Sequence, residues 1–200
     1  TGGNNVAVGI QALDANTTGA ENIGIGSNAL GANTTAGANV GIGGGALATN
    51  TTGANNVAVG RSALTANTTG TQNVAIGMNS LDANTTGGSN VAVGASALGE
   101  NTTASNNTAL GQAALLANTT GSYNTAVGRA AGLSVTTGIQ NTLIGGLAGD
   151  AITDSDFNVA IGYQALSADT LGNSSIAIGY NALRSQNFTS ATNSQNTVIG

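Results

Sequence analysis

The segment Asn56-Val57-Ala58-Val59-Gly60 returns one unit later as Asn73-Val74-Ala75-Ile76-Gly77, a step of 17. Equivalent segments follow with this same step, and the last one begins after a step of 21; they start at Asn5, Asn22, Asn39, Asn56, Asn73, Asn90, Asn107, Asn124, Asn141, Asn158, Ser175 and Asn196. The unit reads N-V-A-V-G-x-x-A-L-x-A-N-T-T-G-x-x, and we number its positions from 1, at the first Asn, to 17. Such self-similarity at a short fixed period is typical of proteins whose units stack on one another.

Positions 2 to 5 of the unit predict a short strand that ends in a turn. Position 2 is always β-branched, position 4 is always a bulky aliphatic residue, and a small residue separates them in most units. This bulky-small-bulky alternation is typical of a strand with one buried face, and the Gly that always follows predicts a sharp turn. We expect the aliphatic columns to form a thin continuous core, together with the Leu of position 9. In the first six units the position-4 column is Val8, Ile25, Ile42, Val59, Ile76 and Val93, and the Gly column starts with Gly9, Gly26, Gly43 and Gly60.

The length of the unit determines how these strands connect. The unit is too short for a β-α-β element, which takes about 30 residues, and its Gly, Asn and Thr content disfavours a helix. The sequence therefore predicts an all-β fold, a parallel β-solenoid or β-roll with 17-residue coils and about twelve of them. Residues 1–200 form a single repeat array that we expect to be cut from a longer fibre. With coils spaced about 4.8 Å apart, eleven steps give a rod on the order of 50 Å long.

A second repeated segment, Asn-Thr-Thr at positions 12 to 14, predicts a ladder of amide side chains. Its Asn column begins with Asn16, Asn33, Asn50 and Asn67, and each amide can bond to the one above and the one below. The segment changes to Val135-Thr136-Thr137 and then degrades further. Four extra residues fall within 184–195, where we expect a loop that leaves the core register intact.

Composition excludes most chemistry. The chain has no Cys, His, Lys or Pro, its charged fraction is 6%, and its net charge is −5. Nucleic-acid binding is disfavoured because phosphate contacts need clustered Lys and Arg. We expect no enzyme activity, since the usual bases and nucleophiles are missing, no cofactor, and no membrane span, since no long apolar run occurs.

The densest acidic group is a candidate calcium site. Asp150, Asp154 and Asp156 lie close in sequence, and grouped carboxylates suit hard cations. Their spacing matches neither an EF-hand loop nor a calcium-binding roll. A solvated edge is the interpretation that this spacing favours, so we predict no metal.

The repeat resembles a known family. Ser175-Ile176-Ala177-Ile178-Gly179 and Asn56-Val57-Ala58-Val59-Gly60 are similar to the YadA-like, or hemagglutinin-like, head repeats of trimeric autotransporter adhesins. The longer form with Asn-Thr-Thr-Gly resembles repeats of phage and bacterial tail fibres. The resemblance implies a left-handed roll, assembly as a parallel homotrimer, and an extracellular location on a bacterial surface or virion. The period of 17 departs from the usual 14 or so of the adhesin heads.

Three functions remain open at this point. The first is a structural, fibre-forming segment of an adhesin or tail fibre, a rigid spacer that associates with itself and contacts a host surface or glycan receptor. The second is ice binding by an outward Thr ladder. The third is a polysaccharide-active β-helix protein, which is disfavoured because the coils of such enzymes are typically longer and their sites need clustered acidic or basic residues.

Overall fold

The computed structural model describes residues 2–200; Thr1, with which the sequence opens inside a repeat, lies outside the described residues. Over that range the chain is all-β, without a helix, and winds into a parallel β-solenoid of about eleven turns, one turn for each complete repeat unit. The predicted fold class is confirmed. The hand of the roll stays a prediction.

One parallel sheet runs along the whole rod. Twelve strands pair in the order β1-β2-β3-β4-β5-β6-β7-β8-β9-β10-β12-β14, and β11 pairs with β13 in a separate two-stranded sheet. The pairing partners are equivalent residues of successive units, such as Val57 and Val74, so each position of the unit forms a column along the rod. The strands are β1 Val6–Val8, β2 Ile23–Ile25, β3 Val40–Ile42, β4 Val57–Val59, β5 Val74–Ile76, β6 Val91–Val93, β7 Thr108–Leu110, β8 Thr125–Val127, β9 Thr142–Ile144, β10 Val159–Ile161, β11 Gly172–Asn173, β12 Ile176–Ile178, β13 Thr192–Asn193 and β14 Thr197–Ile199.

The turns of each coil use backbone conformations with positive φ. Gly60, at position 5, has φ 140°, and a Cβ there would lie 2.5 Å from the carbonyl oxygen of Gly77, so this column requires Gly. Leu at position 9 also adopts a left-handed conformation, with φ between 50° and 54° in every coil where it occurs. This conformation is unfavourable for Leu. Burial of the side chain offsets that strain.

The core is the Leu column of position 9, covered by the small residues of positions 3 and 8. Its fully buried members are Leu30, Leu47, Leu64, Leu81, Leu98, Leu115 and Leu166. The expectation that the aliphatic columns of positions 2 and 4 form the core is wrong, because their side chains point away from the coil and stay half-buried or exposed. The reason is the narrow cross-section: a Cβ at Gly41 of position 3 would lie 3.2 Å from Cγ of Leu30 in the coil before. Only the small face of the strand fits over the Leu column, so the bulky face turns outward.

Two coils fill the core differently. At position 9, Gly132 and Gly149 replace Leu, whereas position 3 of the later coil carries Leu143 in place of Ala or Gly. A Cβ at Gly132 would lie 2.7 Å from Cδ1 of Leu143, and a Cβ at Gly149 would lie 2.7 Å from its Cδ2. Val135 and Ile152, both fully buried, replace the Asn of position 12. One Leu from the strand side thus occupies the space that two Leu residues fill elsewhere.

The four extra residues of the last repeat lie outside the twelve-stranded sheet and do not disturb its register. Strand β12 pairs with β14 in register, with Ile176 opposite Thr197, although the step between these two partners is four positions longer than any other. Three of the four extra residues come before β13, because β13 pairs with β11 at a step of 20. The buried carboxylate of Asp169 holds the start of this segment. That carboxylate accepts hydrogen bonds from the Phe188 amide at 3.0 Å and from Gln186 Nε2 at 2.6 Å.

Candidate functional site

A stripe of outward, mostly aliphatic side chains runs along the whole rod, and we call it the apolar ribbon. It consists of positions 2 and 4 of the twelve strands of the long sheet. Its position-2 column is Val6, Ile23, Val40, Val57, Val74, Val91, Thr108, Thr125, Thr142, Val159, Ile176 and Thr197, and its position-4 column is Val8, Ile25, Ile42, Val59, Ile76, Val93, Leu110, Val127, Ile144, Ile161, Ile178 and Ile199.

The ribbon is accessible in the middle of the rod as well as at its ends. Ile25, Ile42, Ile76, Leu110 and Ile144 keep 36–39% of their surface exposed even though each has neighbours above and below. In each of these strands the residue between positions 2 and 4 is buried. Successive side chains of a strand point to opposite faces, so the inward small residue, or in one strand Leu, at position 3 forces its two neighbours into solvent.

The size of the ribbon is that of an interaction surface. Twelve strands at about 4.8 Å spacing and a width of about 10 Å give roughly 500 Å² of nearly continuous apolar surface. A stable interface between two proteins takes about 800 Å² from each partner. The ribbon by itself supplies more than half of this area, and contiguous apolar patches of several hundred Å² are often functional.

The columns that flank the ribbon carry four exposed aromatic residues in the C-terminal half of the rod. Position 17, two residues before a strand, holds Tyr123 and Phe157, with 62% and 52% of their surface exposed. Position 6, two residues after a strand, holds Tyr163 and Tyr180, with 47% and 72% exposed. The rings of Tyr163 and Tyr180 stack along the rod, with centroids 5.9 Å apart and planes 12° apart. Side chains of position 6 in neighbouring coils therefore contact one another.

Two ladders of buried Asn residues hold the ribbon in place from inside. At position 1, Asn39 donates from Nδ2 to the Gly53 carbonyl at 2.9 Å, and its Oδ1 accepts the Asn56 amide at 2.9 Å. At position 12, Asn50 donates to the same Gly53 carbonyl at 2.9 Å and to Asn33 Oδ1 at 3.1 Å. Both ladders therefore converge on one carbonyl per coil, which ties the start of the strand to the bend across the coil.

The sequence pattern predicts the ladder of position 12 but not the hydrogen bonds of position 1. The signal is present, since Asn fills position 1 in all units but the one that begins at Ser175. The ladder of position 12 runs from Asn16 to Asn118 and stops where Val135 follows. Asn118 Oδ1 is buried there and has no hydrogen-bond partner among residues 2–200.

The Thr pair of each unit gives one half-buried column and one exposed column. At position 13, Thr51 donates its hydroxyl hydrogen to the Thr68 carbonyl of the next coil at 3.0 Å. Position 14 is exposed in eight successive units, at Thr18, Thr35, Thr52, Thr69, Thr86, Thr103, Thr120 and Thr137. The polar Thr column and the apolar ribbon are thus two separate stripes along the rod.

The three candidate calcium ligands do not form a cluster. Asp150 accepts a hydrogen bond from the Ser167 hydroxyl at 2.7 Å, Asp154 is exposed, and Asp156 accepts the Ile139 amide at 2.8 Å. Within the described part of the chain, no group of three or more His, Cys, Asp or Glu side chains is close enough to hold a metal ion. Each of these aspartates instead belongs to a different column.

One carboxyl group has a shifted pKa. Burial raises the pKa of Asp82 above its ordinary value, a backbone hydrogen bond lowers it, and the nearby Glu100 carboxylate raises it further. The sum of these effects is a raised pKa. This half-buried position is on the turn after the Leu column, away from the ribbon.

The fold and surface define a class, a parallel β-solenoid repeat protein with an exposed apolar face along its length. From residue 2 to residue 200 the structure shows no enclosed pocket and no helix, hence none that could cross a membrane. Comparisons with protein-family models, curated proteins and solved structures gave no match to this chain.

Proposed function

We propose that this chain is a structural segment of an extracellular fibre, of the adhesin or phage tail-fibre kind, whose copies associate side by side through the apolar ribbon. In this proposal the segment is a stiff spacer that carries an attachment region to a host surface or glycan receptor. The repeat motif, similar to the adhesin-head repeats, supports assembly as a parallel homotrimer.

The observation that carries the proposal is the ribbon itself. A solenoid could place Thr or Ser at both outward strand positions, yet position 4 is Val, Ile or Leu in all twelve units. No other segment of the described chain covers these side chains. Burying about 500 Å² of apolar surface contributes on the order of 10 kcal/mol per chain before the costs of association, which explains a strict aliphatic preference at an exposed position.

The period of the ribbon favours a second copy of this chain as the partner. The side chains recur at the strand spacing of about 4.8 Å over a length of roughly 50 Å. A partner contacts every repeat only when its own surface has the same spacing along the same length. An identical chain meets this condition at every coil.

The mass of the purified chain in solution tests this proposal. One chain has a mass of 19.0 kDa, so light scattering or sedimentation should give three times that value. Replacing Ile42 and Ile76 by Asp places charges in the ribbon and should yield monomers that keep their β-type circular dichroism. The control carries the same two charges in the exposed Thr column, at Thr52 and Thr86, and should keep the wild-type mass. A monomeric wild-type protein would contradict the proposal.

Ice binding is the second candidate, and the exposed Thr column favours it. Eight Thr side chains recur once per coil on one line of the rod. Thermal hysteresis of the wild-type protein would support this function if replacing Thr52, Thr69 and Thr86 by bulky residues such as Tyr abolished it. No hysteresis in the wild type removes this candidate.

A further inference from the structure

The two columns that flank the ribbon pair residues of matching chemistry at the same height of the rod. In the coil of strand β10, Phe157 lies two residues before the strand and Tyr163 lies two residues after it. In the coil of strand β8, Tyr123 and Arg129 hold the same two places. These coils therefore carry an aromatic-aromatic pair and an aromatic-cation pair.

Members of one pair do not contact each other within a chain. Six positions separate them along the sequence, and a strand with a rise of about 3.3 Å per residue places them roughly 15–20 Å apart. All four side chains are exposed. Within a single copy, Tyr163 stacks on Tyr180 of the next coil, but neither pair brings its own two members into contact.

Association through the ribbon would bring the pairs together. A rotation about an axis parallel to the rod involves no shift along it, so equivalent coils of two copies stand at the same height. Around the axis, the equivalent strands of successive copies then follow one another head to tail. The residue after a strand in one copy therefore lies beside the residue before the equivalent strand in the next copy. Phe157 of one copy then meets Tyr163 of its neighbour, and Tyr123 meets Arg129.

We propose that these two contacts set the axial register of a parallel assembly of this chain, an inference that rests on the self-association proposed above. The ribbon repeats almost identically in every coil, so a shift by one coil would bury nearly the same aliphatic surface. Aromatic pairs and cation-π contacts favour particular partners. In register, each aromatic side chain of position 17 finds an aromatic or a guanidinium partner.

A one-coil shift loses part of this matching. Moving one copy by a coil towards the N-terminal end places Phe157 against Gly146 and Tyr123 against Gln112. Tyr163 then loses the Phe157 ring of the neighbouring copy and keeps only its stack on Tyr180. In the opposite direction, Phe157 meets Tyr180, but Tyr123 meets Gly146 in place of Arg129. Only the unshifted assembly satisfies both pairs at once.

Disulfide cross-linking tests this register, because the chain contains no Cys. A disulfide needs Cα atoms roughly 4.4–6.8 Å apart. A chain with both Phe157→Cys and Tyr163→Cys should give covalent multimers after oxidation on a non-reducing gel. Tyr123→Cys with Arg129→Cys is an independent pair and should behave in the same way. The mismatched control, Phe157→Cys with Gln112→Cys, spans three coils, or roughly 14 Å, and should stay mostly monomeric on the gel.

The controls separate failure of the register from failure of self-association. Each single Cys variant should remain monomeric on the gel, since a residue does not face its own copy in this arrangement. The register is wrong if the protein has a multimeric mass in solution while neither matched pair cross-links more than the mismatched pair, or if single variants cross-link as well as double variants. A monomeric mass without any cross-linking would instead refute the self-association on which the register rests.

Discussion

Replacing Leu143 by Ala should be among the most destabilising single substitutions in the chain. Leu143 is fully buried, and its two methyl groups reach towards Gly132 and Gly149. In a typical core, Leu→Ala costs about 2–5 kcal/mol, with the larger values where the surroundings do not collapse into the cavity. Glycine has no side chain to fill the space, so we expect a cost of about 4 kcal/mol.

The same geometry predicts that the effect of Gly132→Leu on stability depends on whether residue 143 is Leu or Ala. In the wild-type chain the new Cβ would lie 2.7 Å from Leu143 Cδ1 and 2.9 Å from Leu115 Cδ2, and the substitution should destabilise the protein. In the Leu143→Ala chain it should stabilise, because it restores the Leu-over-Ala packing of the other coils. Gly132 has φ 60°, close to the 50° of Leu115, so Leu adds no strain beyond that of its column.

Urea unfolding followed by far-ultraviolet circular dichroism measures both effects, with the protein concentration held fixed because self-association changes apparent stability. The two single variants and the double variant form a double-mutant cycle, and we expect a coupling energy of about 2 kcal/mol or more. If Gly132→Leu changes the free energy of unfolding in the same direction in both chains, Leu143 does not fill the space that position-9 Leu side chains occupy elsewhere.

Two further predictions concern buried polar groups. Asn67→Ala should cost about 2–3 kcal/mol, because it removes three hydrogen bonds, to Asn50, to Gly70 and from Asn84. Asn118→Ala should cost clearly less in the same unfolding assay, since Asn118 Oδ1 has no partner to lose among residues 2–200; equal costs would contradict the ladder. Asp82 has a raised pKa in the folded state, so ionisation of its carboxyl group destabilises the fold as pH rises through and above its ordinary value of 3.8. Asp82→Asn should therefore raise stability at neutral pH by a few tenths of a kcal/mol. Thermal unfolding at several pH values should show that this gain disappears in acid. A gain that stays constant with pH would contradict the raised pKa of Asp82.

The amino-acid sequence by itself determined the period, the strands and the turns. The recurrence of Asn-Val-Ala-Val-Gly at a fixed short period predicts stacked parallel strands because no other connection fits so short a unit. Gly at position 5 marks the sharp turn, and its φ of 129–148° shows why a side chain is excluded there. The ladder of position 12 also follows from the sequence, since a repeated Asn in a stack faces its own copies.

Only the tertiary structure decided which face of the strand is inside. Alternation separates two faces but does not say which one meets the core, and the aliphatic face is the natural expectation for the buried side. The outcome depends on the cross-section of the coil, where the Leu column already fills the space beneath position 3. Leu143 illustrates the same dependence on the cross-section. Gly132 and Gly149 replace Leu at position 9, and the space this leaves allows a large side chain at position 3 of the strand to point inward. Such compensation depends on distances across the coil, which the spacing of residues along the chain does not contain.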